Sequence, residues 1–145
     1  MIRFAFDVDI DRSPAEVFSY ITDAERLPEW QSGAVEAQWQ GEKAAGGRIR
    51  EVRKFLGRRM ETELEVTEYE PDQRFGLKAV SGPVPFSVTQ VLEPRDGGTR
   101  LRFVGEGEPG GFFKLAEPVV ARVAERQFKN DFETMRDILE AGGAA

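Results

Sequence analysis

The chain contains no cysteine and no histidine. Without cysteine there is no disulfide, no thiolate metal site and no cysteine nucleophile. Without histidine the commonest general base and a common transition-metal ligand are missing as well, and a Ser-His-Asp triad cannot be assembled. Chemistry would fall to carboxylates, Lys, Arg, Ser, Thr and tyrosine, which occurs only twice. Positive charge is also in deficit: 20 Lys and Arg stand against 26 Asp and Glu, for a net charge of -6 and a pI near 4.9. Nucleic-acid binding rests on clustered cations that neutralise phosphates, so no nucleic-acid partner is expected. No apolar run is long enough to span a bilayer, and no integral membrane association is expected. The opening MIRFAFDVDI alternates instead of placing a basic region before an unbroken apolar stretch, so the expectation is no signal peptide and a cytoplasmic location.

What is present is the composition of an ordinary globular protein, 40% hydrophobic and 32% charged. A length of 145 residues fits one domain, 1–145, able to bury a core without staples. The longest periodic stretch is FFKLAEPVVARVAERQFKNDFETMRDILEA, from Phe112 to Ala141. In it Val120, Ala124, Phe128, Phe132, Met135 and Leu139 recur at helical spacing, widened by Val123 and Ile138. A helix of roughly 29 residues is about 43 Å long, more than the width of a small domain, so it must lie across an extended surface. Pro118 predicts a kink or a true start near Glu117, and Gly142 and Gly143 end the helix.

The rest reads as strands and two short helices. Ile2 to Ile10 alternates Phe4, Phe6, Val8 and Ile10 with Arg3, Ala5, Asp7 and Asp9. Ser13, Pro14 and Glu16 make a capping box that opens a helix running to about Thr22, with Val17, Phe18 and Ile21 as its apolar stripe. DAERLPEW predicts a second short helix from Asp23, stopped near Pro28. Val35, Ala37 and Trp39 alternate in the next strand, and Arg48 to Phe55 pairs with Met60 to Thr67 through Leu56-Gly57-Arg58. Phe75 to Val80, Phe86 to Leu92 and Thr99 to Val104 follow, separated by the turns YEPDQR, SGPVP and EPRDGG. GEGEPGG then releases the chain into the long helix. The fold class is α+β: a curved antiparallel sheet of seven strands, two short helices after the first, and a long C-terminal helix over the concave face. One rod cannot fill so wide a hollow, which predicts a cavity between sheet and helix.

VDIDRSPAEVFSYITDAERLPEW, EYEPDQRF, GGTRLRF and the closing EPVV and MRDILEA resemble, in order and over nearly the whole chain, the SRPBCC superfamily. That grouping holds the START domains, the birch-pollen allergen and the polyketide cyclase/dehydrase and lipid-transport branch. The resemblance implies a helix-grip fold and binding or transport of a hydrophobic or aromatic small molecule, lipid or polyketide-like; no cofactor is expected. It also implies two alternatives, a cyclase/dehydrase-type enzyme and a coenzyme- or ribosome-associated interaction module. No catalytic motif is common to the superfamily, so none is carried over, and oligomeric state is not implied.

Candidate site residues come from the parity of the strands. Ile49, Glu51, Arg53 and Phe55 share the face expected to be inner, which sets two charged groups toward the cavity. Arg53 can anchor a ligand carboxylate or enolate and Glu51 can act as a base, or the two can satisfy each other. Tyr69 is the alternative proton-transfer group. Thr62 and Gln90 face inward and can orient a ligand or bond a neighbour. Trp30 and Trp39 can line a pocket or pack in the core, as can Phe4, Phe6, Phe75, Leu77, Leu101, Phe103, Phe128, Phe132 and Met135. Phe112 and Phe113, after the glycines, suit a gating loop. The row Glu61, Glu63 and Glu65 lacks a chelating loop and reads as a solvated face, so no metal is expected. The glycine pattern lacks the strand-turn-helix setting of a nucleotide fingerprint.

Overall fold

The computed structural model describes residues 2–55, 57–82, 84–108 and 117–142. The first strand, β1 (Ile2–Ile10), leads into α1 (Pro14–Ile21), a single 3-10 turn (Ala24–Arg26) and α2 (Leu27–Trp30). A meander follows: β2 (Ala34–Trp39), β3 (Arg48–Phe55), β4 (Arg58–Glu70), β5 (Arg74–Ser81), β6 (Phe86–Arg95) and β7 (Gly98–Gly107). The terminal helix α3 spans Glu117–Glu140, about 36 Å at 1.5 Å per residue. The sheet order is β1-β7-β6-β5-β4-β3-β2, every neighbouring pair antiparallel. Bulges in β2 at Val35, in β5 at Val80 opposite Glu63/Leu64, and in β4 at Thr67 between Val66 and Glu68 add bend and twist, which curls the sheet around α3.

Local chemistry explains most boundaries. Ser13 caps α1, its hydroxyl accepting from the Glu16 N–H at 3.2 Å and bonding the Glu16 carboxylate at 3.1 Å. Pro28, expected to stop the second helix, instead sits in the first turn of α2, where its missing N–H costs nothing. The Asp96-Gly97 pair, at φ +50 and +83, forms a two-residue hairpin turn, so β6 continues through Pro94 to Arg95 rather than ending at Leu92. Gly142, at φ +83, follows the end of α3, while Gly143 lies outside the described residues. There Arg12 donates to the Glu140 carbonyl at 2.6 Å and the Asp11 N–H to the Glu140 carboxylate at 2.8 Å, tying the helix end to the β1–α1 connection.

Two expectations need correcting. The segment read as a glycine-rich release is strand as far as Gly107, because Gly105 and Gly107 pair with Phe4 and Ile2 of β1 on one side and with Val88 and Phe86 of β6 on the other. A ladder on both edges outweighs the poor strand propensity of glycine. Val35 is 40% exposed instead of inward, because the β2 bulge falls at its position.

The outer face of the sheet is polar and cross-paired. Arg100 meets Asp9 at 2.9 Å, Arg102 meets Asp7 at 3.4 Å and Arg3 meets Glu106 at 3.4 Å, each across the β1–β7 ladder. On β4 the acidic row is matched in the same way, Glu61 by Arg50 at 2.9 Å and Glu63 by Arg48 at 3.4 Å. The inner face carries the core: Phe6, Val8 and Ile10 of β1, Leu101 and Phe103 of β7, Val17 and Phe18 of α1, and Phe132, Met135 and Leu139 of α3.

Candidate functional site

Between the sheet and the first half of α3 lies a partly open hollow of about 180 Å³. A single water takes roughly 10–15 Å³ on the same measure, so the space exceeds a packing defect many times over. Its walls are apolar, with Phe75, Phe103, Phe128 and Phe132 among them, together with Trp30 at the α2 end and Ile2, Met60 and Val120 at the other. Phe103 and Phe128 stack at 5.5 Å between centroids, and Trp30 meets Phe132 edge-on at 4.9 Å, so the aromatic walls hold one another in place.

The wall carries one buried ion pair. Glu51 and Arg53 both point inward from β3, in keeping with the parity of Ile49. The Glu51 residue is 4% exposed, and its two oxygens accept from Arg53 Nε at 3.2 Å and Nη2 at 3.3 Å. Arg53 Nη2 also donates to the Gln31 side-chain oxygen, and the guanidinium lies 5.5 Å from the centre of the Phe128 ring. Among the described residues the buried Arg53 Nη1 has no hydrogen-bond partner. Behind this group, on α3, the buried Asp131 accepts from the Ser32 N–H at 3.1 Å and hydroxyl at 2.9 Å through Oδ1, while Oδ2 has no hydrogen-bond partner among the described residues. Burial pushes the Asp131 carboxyl above its ordinary range, opposed by the Ser32 hydrogen bonds and by Arg53.

Glu51, Arg53, Thr62, Gln90, Phe75, Phe103, Phe128 and Phe132 are therefore brought together around one hollow. Thr62 stands opposite Glu51 in the β3–β4 ladder, and the Gln90 amide donates to the Phe75 carbonyl at 3.3 Å. Three other candidates lie elsewhere. Met135 is fully buried in the packed core. The Trp39 indole N–H donates to the Thr22 carbonyl at 2.9 Å, which holds its ring outside the wall. Tyr69 is turned by the Val66/Glu68 bulge onto Phe18, Trp39 and Phe75 and also misses the hollow. The second tyrosine, Tyr20, is no substitute: it does not line the hollow, and burial with its bond to Glu29 pushes its hydroxyl up to about 12. Phe112 and Phe113 fall outside the described residues. Gln31 and Asp131 escaped the sequence reading, because a loop residue after a helix and an acid in a charged helix face carry no periodic signal.

A curled antiparallel sheet gripping a terminal helix over an apolar hollow defines a class of small-molecule cavity proteins. The chain belongs to the polyketide cyclase/dehydrase and lipid transport family, whose model matches residues 1–140. No curated protein matches it. Solved structures share the fold at low identity. The Thermus thermophilus protein TTHA0849 is 18% identical with a TM-score of 0.84, over 97% of this chain and 98% of that one. A START superfamily protein from Mycobacterium smegmatis is 15% identical with a TM-score of 0.78, over 96% and 99% of the two chains. The di-domain ARO/CYC BexL of the BE-7585A biosynthetic pathway is 16% identical with a TM-score of 0.75, over 97% of this chain and 47% of that one. Among the described residues no helix is long and apolar enough to cross a membrane, and no cluster of acidic residues could hold a metal ion.

Proposed function

We propose that the protein binds a hydrophobic or aromatic small molecule in the hollow between the sheet and α3. The observation that carries this reading is the hollow itself, about 180 Å³ walled by aromatic and aliphatic side chains with one polar cluster at Glu51 and Arg53. Apolar burial at about 25 cal/mol per Å² would supply affinity, and the polar cluster would set orientation. Membership of the family supports a hydrophobic-ligand role in general. Arg53, Thr62, Gln90 and the phenylalanines of the wall are the proposed contacts. Native mass spectrometry with organic extraction, followed by titration with a neutral apolar fluorophore such as N-phenyl-1-naphthylamine, tests the proposal. A co-purifying apolar compound or saturable one-to-one binding supports it, and an empty protein that takes up no apolar compound overturns it.

A second reading, a cyclase/dehydrase, is favoured by the placement of a carboxylate, Glu51, in the wall of an apolar hollow. Both of its oxygens are engaged by Arg53, which favours the binding role. Turnover of a poly-β-ketone substrate that is lost in Glu51→Gln would establish the enzyme. A surface-docking role asks for a continuous exposed apolar patch. Among the described residues the exposed large hydrophobics are Val35, Val80 and Val119, on three different elements.

A further inference from the structure

Among the described residues, charged side chains whose residues stand directly opposite one another in the ladders of the sheet are of opposite sign, as in Asp9 with Arg100, Arg48 with Glu65 and Glu70 with Arg74, with a single exception. Beside the turn of the β3–β4 hairpin, Lys54 faces Arg59. Like charges so placed repel and cost stability. Both residues are exposed, and neither side chain has an ion-pair partner among the described residues. More cations gather there. Arg58 follows at the turn, exposed and opposite Phe55. The Lys54 carbonyl oxygen and the Gln127 side-chain nitrogen each lie 2.8 Å from where a Cβ on Gly33 would stand, so α3 passes beside the hairpin. On α3 the exposed Arg126 precedes Gln127, and the exposed Arg122 lies one turn earlier.

The far end of the molecule has the opposite character. Its connections carry the exposed Asp11, Glu42, Asp72 and Asp96, and α3 ends there at the exposed Glu140. The two ends are separated by the length of α3, about 36 Å, several times the Debye length of about 10 Å at 0.1 M ionic strength. An anionic surface that meets the basic end is therefore largely screened from the acids behind the net charge of -6.

We infer that this basic end docks on the anionic face of a lipid bilayer. The planar fork of arginine matches phosphate oxygens, and a plane of negative charge relieves the repulsion between Lys54 and Arg59 that the fold leaves in place. Adsorption to a plane of headgroups asks for clustered cations and for no pocket. A protein interface is held chiefly by buried aromatic and other large anchors, and among the described residues no exposed aromatic side chain accompanies these cations. The inference is independent of what fills the hollow.

Co-sedimentation with vesicles tests it, comparing phosphatidylcholine alone with an equal mixture of phosphatidylcholine and phosphatidylglycerol. The wild-type protein is expected on the mixed vesicles and not on phosphatidylcholine at about 0.1 M salt, and free at about 1 M, where the Debye length is about 3 Å. Lys54→Gln/Arg59→Gln should weaken binding at least about tenfold, since each cation near such a surface contributes roughly fivefold. Its melting temperature should stay level or rise, because a repulsion is removed. Lys43→Gln/Arg95→Gln takes the same charge from exposed positions at the far end and should change binding by less than about threefold. No binding to the mixed vesicles overturns the inference, as does an equal loss in the two double variants. A lowered melting temperature in Lys54→Gln/Arg59→Gln removes the repulsion on which it rests and overturns it as well. Binding to polyglutamate without binding to the mixed vesicles overturns it in favour of an acidic protein partner.

Discussion

The two halves of α3 present the same kind of apolar stripe to the same sheet, yet one half is packed and the other covers a void. Toward the C-terminus, Met135 and Leu139 are at most 1% exposed and lie in the core formed with the inner faces of β1 and β7 and with α1, and Phe132 stands between that core and the hollow. Toward the N-terminus, Val120, Ala124 and Phe128 line the hollow. The facing strand changes in step: the inner face of β7 runs Leu101, Phe103, Gly105, Gly107, from bulky side chains to none. A side chain cannot be added freely at Gly105, because a Cβ there would come within 3.0 Å of the Phe103 ring and 3.2 Å of the Phe4 ring. The hollow lies along the part of α3 whose wall also includes Gly105 and Gly107, and the Phe103 and Phe4 rings lean over the bare backbone of Gly105. Core and cavity are one layer with different residue sizes.

The largest expected effect breaks the packed half. Leu139→Ala should lower stability by about 2–5 kcal/mol, seen as a lower urea midpoint at unchanged slope, whereas Phe128→Ala should cost less because its ring borders empty space. Equal losses at the two positions would erase the distinction between the halves. Next comes filling the void. Ala124→Leu should reduce binding of N-phenyl-1-naphthylamine on the order of tenfold or more while changing stability by less than about 1 kcal/mol, since the added methyl groups enter space instead of a packed core. A loss of stability of the size expected for overpacking, with binding intact, would show that the space is not where the structure puts it.

A smaller effect separates the buried acid behind the cluster from the paired acids outside. An acid whose pKa is raised on folding holds its proton more tightly folded than unfolded. Its contribution is therefore most favourable below 3.8, the unfolded value, and is lost as pH rises through that value toward the raised folded one. The stability of the wild type relative to Asp131→Asn should accordingly fall between about pH 3 and pH 7 in denaturant titrations, and a flat difference would remove the case for a strained buried carboxyl. The smallest effect belongs to the outer face. Arg100→Ala, which breaks the pair with Asp9, should cost about 0.2–1 kcal/mol and less in high salt, because both side chains are solvated.

Much of this was legible in the chain. Strand parity placed Glu51, Arg53, Thr62 and Gln90 inward, because alternation along a half-buried strand leaves only two faces to choose from. Parity failed where a bulge intervened, at Val35, since one extra residue shifts the phase, and the bulge at Val66/Glu68 likewise sets the facing of Tyr69 with nothing in EVTEYE to announce it. Periodicity placed Phe128, Phe132 and Met135 on one stripe and could not tell that the first two border a hollow and the third does not. That difference belongs to the opposing surface.

By itself the sequence determined the element order, the antiparallel meander and the buried face of the unbulged strands and of the helices, because these follow from local periodicity, caps and turn residues. Only the tertiary structure decided that Arg53 is matched by Glu51 and Gln31, that Asp131 lies behind them, and that the space beneath α3 stays open. Those outcomes depend on distances between residues far apart in the chain, set by how sharply the sheet curls, and no local pattern encodes that curvature.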